Sequence, residues 1–69
     1  MIDFTYTAKR NGLVIHFGKG RLVSITERDG QFTAALQTAF GRCSIDELPQ
    51  EKVAAKDYCE AYVLENFAR

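Results

Sequence analysis

The sequence predicts an α+β domain, a four-stranded antiparallel β-meander with one C-terminal α-helix packed on one face (ββββα). Three observations carry that expectation. From Ile2 onward apolar and polar residues alternate with period two; turn signals at Asn11-Gly12, Gly18-Lys19-Gly20 and Asp29-Gly30 divide the alternating stretch; and beyond Pro49 the apolar period becomes that of a helix.

In the first strand Ile2, Phe4, Tyr6 and Ala8 alternate with Asp3, Thr5, Thr7 and Lys9. Asn11-Gly12 supplies the positive-φ pair of a type I′ turn, so Arg10 is expected opposite Leu13, Ala8 opposite Ile15 and Tyr6 opposite Phe17. At the second turn a three-residue loop with Gly20 in the left-handed region pairs Phe17 with Arg21, Ile15 with Val23 and Leu13 with Ile25. The third turn, Asp29-Gly30, pairs Glu27 with Phe32, Ile25 with Ala34 and Val23 with Leu36. All three turns place apolar residues on one face, and a slip of one residue in any of them would destroy that agreement. Residues 31–40 also fit a helical stripe through Phe32, Ala35, Leu36, Ala39 and Phe40. The Asp29-Gly30 signal and the shared register favour the strand.

Ser44 followed by Glu47 matches a capping box and predicts a helical turn opening at Ile45. The main helix is expected from Pro49 or Gln50 to Phe67, with Ala54, Ala55, Tyr58, Cys59, Ala61 and Tyr62 facing the sheet. Val53, Leu64 and Phe67 fall outside that stripe, as a second apolar strip or, for Phe67, as a ring folded under a fraying end.

With 69 residues, the chain is expected to be one domain, 1–69, with a small core. Its apolar and charged fractions, 46% and 26%, are those of a folded globular chain, and no apolar run reaches the length of a membrane span. No basic, apolar leader stands at the start, so the expected location is cytoplasmic. Two cysteines, Cys43 and Cys59, are too few for a disulfide framework and are read as reduced thiols, a bridge between them being the alternative. With His16 they make no zinc set, so no metal and no cofactor is expected.

Candidate chemistry is sparse. His16 is expected on the solvent face of a strand with no nucleophile or carboxylate beside it, and Gly18 and Gly20 read as hairpin punctuation rather than a phosphate loop. No catalytic residue is assigned, and the chain is not expected to be an enzyme. Charge is the more informative signal, because residues 1–42 carry six basic side chains against three acids while residues 43–69 carry three against six. The expected function is that of a small interaction or regulatory protein that binds another protein or itself as a homodimer through Val53, Leu64 and Phe67. The alternative is a small nucleic-acid-binding domain using basic hairpin ends at Arg10, Lys19, Arg21 and Arg28.

Overall fold

The computed structural model describes residues 2–67. It is an α+β fold with one antiparallel sheet of five strands, β1 (Thr5–Lys9), β2 (Gly12–Gly18), β3 (Arg21–Arg28), β4 (Gln31–Thr38) and β5 (Gly41–Ile45), followed by α1 (Lys52–Phe67). The strands lie in sequence order, so the sheet is a pure meander whose edges are β1 and β5. The expected count of four is corrected to five, and with it the far edge moves from the fourth strand to β5. Residues 31–38 are strand, not helix.

The register explains which face is dry. Tyr6, Ile15, Val23, Leu36 and Cys43 form one cross-strand row, and Ala8, Leu13, Ile25, Ala34 and Ile45 form the next, both on the face that α1 covers. Ile15, Val23, Ile25, Ala34, Leu36 and Ile45 are buried there with Phe17, Leu48, Ala55, Cys59 and Val63. The expected pairs across the third turn are present, as are Ile15 with Val23 and Leu13 with Ile25 across the second, but Arg21 pairs with Gly18 rather than Phe17, so that turn is the two residues Lys19-Gly20 and not three. Asp29 and Gly30 carry the positive φ angles of a type I′ turn, 53° and 78°. Phe17 is the extra residue of a bulge, since the ladder shifts between His16 and Gly18.

Further expectations need correction. The first hairpin turns at Arg10-Asn11, with Lys9 opposite Gly12 and Ala8 opposite Leu13, two residues from the expected pairing. A shift of two leaves every side chain on its face, which is why the apolar pattern did not reveal it. Neither turn residue has a positive φ; instead the Asn11 carbonyl accepts the Glu27 amide at 2.7 Å, tying the turn to β3.

The capping box at Ser44 and Glu47 is not used: Ser44 lies in β5, and Glu47 has a φ of 58°, incompatible with a right-handed helical turn. The helix starts at Lys52 rather than at Pro49 or Gln50. Glu51 caps it, its carboxylate accepting the Ala54 amide at 2.8 Å and its carbonyl the Ala55 amide at 2.7 Å. Gln50 meanwhile stands in for a strand, its side-chain amide accepting from the Phe32 amide (2.8 Å) and donating to the Phe32 carbonyl (3.1 Å), beyond the point where β5 ceases to pair with β4.

The buried face of α1 is also rotated from the expected one. Ala55, Cys59 and Val63 are its buried residues, and Phe67 continues this i, i+4 row with its ring centroid 5.2 Å from that of Phe17. Such a row is inclined to the helix axis, as when a helix crosses a sheet obliquely. Tyr58 and Ala61, expected inward, are exposed.

Candidate functional site

Two surfaces bear exposed side chains suited to recognition, one on the helix and one on the sheet. Of the three residues expected to bind a partner, Val53 is 61% exposed and Leu64 45%, while Phe67 packs on the core against Phe17 with the Arg21 guanidinium 5.8 Å from its ring centroid. Val53 and Leu64 are eleven residues apart, which places them on one line of the helix about 16 Å apart. Asp57 and Glu60 lie between them on that line. Glu60 is already engaged: it pairs with Lys56 at 3.0 Å and accepts the Tyr6 hydroxyl, while the Lys56 ammonium sits 4.6 Å from the centre of the Tyr6 ring. The bond to Glu60 raises the pKa of the Tyr6 phenol, and its bond to the same carboxylate raises that of Lys56.

Val53 also borders a groove of about 340 Å³ between the start of the helix and the first hairpin. Leu13, Ile25 and Phe32 provide apolar lining, with Lys9, Arg10, Lys52 and Lys56 as basic members and Glu27 as an acidic one.

The second surface is the face of the sheet that α1 leaves open. Its cross-strand rows are Thr5, His16, Leu22, Gln37 and Arg42; Thr7, Val14, Ser24, Ala35 and Ser44; Lys9, Gly12, Thr26 and Thr33; and Arg28 with Gln31. No carboxylate stands in any of these rows. Glu27 stands in β3 on the helix side, opposite Phe32, while Asp3 before β1, Asp29 in the third turn beside Arg28 and Asp46 directly after β5 stand at the margin of this face. Lys9 reaches across β2 above Gly12, donating to Ser24 at 2.6 Å and to Thr26 at 2.8 Å. Both partners are neutral, so its charge stays uncompensated. His16 lies 3.4 Å from the Thr7 hydroxyl and, as expected, points to this open side.

The four basic residues expected at the hairpin ends are not gathered in one place. Arg10 and Arg28 lie at one end of the sheet, Lys19 and Arg21 at the other, roughly 23 Å away at about 3.3 Å per residue along β3. What the sequence reading missed is Phe40, 97% exposed at the turn between β4 and β5, on the same end as Lys19 and Arg42. Read as the end of a fourth and last strand over 31–40, Phe40 had no turn to occupy; Gly41 directly after it was the overlooked signal.

Both cysteines are free thiols, Cys43 exposed on β5 and Cys59 buried under the helix. Burial pushes the Cys59 pKa up to about 11, with the nearby Glu60 carboxylate adding to the shift, so it stays a protonated packing group at neutral pH. Among the described residues no cluster of three or more His, Cys, Asp or Glu side chains is arranged to hold a metal, and no helix is long and apolar enough to cross a membrane. No family model matches this chain, and no curated protein or solved structure is found similar to it.

Proposed function

We propose that this protein is a non-catalytic binding module that acts by docking on another protein along the exposed side of α1. The observation that supports this reading is a helix with two apolar rows: Ala55, Cys59, Val63 and Phe67 face the sheet, while Val53 and Leu64 lie outside that row and keep 61% and 45% of their surface exposed. A helix that packs only once keeps its outer side polar, and a second apolar strip is the mark of a second neighbour.

Charge narrows the kind of neighbour. Antiparallel pairing of two copies along this strip sets Val53 against Leu64 but faces Asp57 of one copy with the other's Glu60, whose charge Lys56 already meets, so no cation answers Asp57 in a homodimer through this face. A different protein with a basic side chain between two apolar anchors meets Val53, Asp57 and Leu64 with that cation in place. The groove beside Val53 gives one anchor a recess. One helix face buries less than the roughly 800 Å² per partner of a standard interface, so the expected complex is transient.

The experiment is affinity capture with the wild-type chain and with a V53D/L64D double variant, alongside sedimentation at rising concentration. Loss of a captured partner in the double variant, with its circular dichroism unchanged, supports the reading. Capture unaffected by the double variant, or a concentration-dependent dimer that the variant leaves intact, overturns it.

A further inference from the structure

We infer that the open sheet face, with the turns that end it at Lys19 and Phe40, is a binding surface for single-stranded nucleic acid. The inference is independent of the helix strip, which lies on the other side of the molecule. It rests on how charge is distributed in space. The chain is neutral overall, yet none of the side chains on the open face of the five strands is a carboxylate, and none stands between Gly18 and Leu22 or between Gln37 and Cys43. Within that surface Lys9, Lys19 and Arg42 form no ion pair among the described residues. Threonine, serine and glutamine hydroxyl and amide groups fill most of the space between them, the groups that accompany Lys and Arg in contacts to phosphate and sugar.

Geometry selects a single strand over a duplex. Five strands spaced about 4.8 Å apart make a platform about 19 Å across, too broad for the roughly 12 Å major groove of B-DNA. A flexible single strand can cross such a platform, its phosphates following Lys9 and Arg42 at the two edges. Phe40 stands at the Arg42 and Lys19 end, opposite that of Lys9, almost wholly exposed and open to stacking on a base. An aromatic ring held in water beside uncompensated cations answers both components of a single strand. An acidic peptide needs only the charge.

The test is fluorescence anisotropy with a labelled deoxythymidine 20-mer, repeated with the uridine 20-mer and with a polyglutamate peptide of equal length. With three phosphates neutralised, affinity falls with salt at a logarithmic slope of about −2, or roughly 20-fold between about 50 and 200 mM. R42Q lowers that slope to about −1.4, since each lost cation removes about 0.7. F40S weakens binding roughly tenfold, the loss of one stacked base, with the salt slope unchanged. K52Q, on the helix side, leaves both unaltered. Binding of the uridine oligomer alone assigns the surface to RNA and sustains the inference. Absence of binding to both oligomers at low salt overturns it. Polyglutamate binding as tightly as the oligonucleotides, with F40S indistinguishable from wild type, also overturns it and gives the face to an acidic protein.

Discussion

Gly12 and Gly30 resist substitution for different physical reasons. Gly30 has a φ of 78° and open space where a side chain would stand, so G30A carries only the left-handed penalty of about 1–2 kcal/mol. At Gly12 no such φ is present; a Cβ there would run into the Ile25 carbonyl and come within 2.8 Å of the Lys9 stem. Backbone cannot step aside as a side chain can, so G12A is expected to cost about 3 kcal/mol, more than G30A, and urea midpoints of the two variants check the ranking. The cysteines divide as cleanly. In the native protein one thiol per chain, Cys43, should react promptly with a thiol reagent at neutral pH, and Cys59 only after denaturation, because it is buried and holds its proton. Equal reactivity of both in the folded state would contradict the burial of Cys59.

At the level of elements, the cap and the inward row of α1 decide whether the helix forms and stays docked. Replacing Glu51 with Ala removes the acceptor for the Ala54 amide and should lower stability by about 1 kcal/mol. V63A opens a void in a fully buried site and should cost about 2 kcal/mol, whereas A61S, on the exposed side, should change stability little. Thermal denaturation compares the three. These expectations also show where the sequence was legible. Asp29-Gly30 and Gly18-Lys19-Gly20 specify the central hairpins through backbone conformation, and the pairing of Val23 with Ile15 and Leu36 followed from them residue by residue. The first hairpin was legible only as to face, because its turn is held by Asn11 bonding to β3, a contact no local signal encodes. β5 escaped because it is short and barely apolar: of Gly41–Ile45 only Ile45 is buried, and Ser44 with Glu47 imitates a helix start. On the helix the two apolar strips were separable, but which one faces the sheet depends on Phe67 packing against Phe17, fifty residues earlier in the chain, a contact that periodicity alone does not contain. Val53 and Leu64 were found for that reason as exposed positions, whereas Phe67 belongs to the core, and the open face was legible as a list of residues but not as a surface free of carboxylates.

Across the whole molecule, the ionisable groups set an alkaline limit. The unfolded chain releases the Cys59 proton near 9.0 while the folded chain holds it to about 11, so this contribution to stability is complete below pH 9 and is lost progressively up to about pH 11. Tyr6 and Lys56 shift in the same upward sense, but both lie at the surface, where solvent weakens their effect. The urea midpoint should therefore fall across that window in the wild type, and the fall should be smaller in C59A. The joint made by Gln50 reaches further than its three hydrogen bonds suggest. Because the residue just ahead of the α1 cap closes the open ladder at Phe32, lifting the helix exposes the Phe32 N–H to water. Amide hydrogen exchange at that single position consequently acts as a clock for helix detachment, and Q50A should set it running at the pace of a frayed edge while amides in the middle of β3 keep the slow exchange of global unfolding.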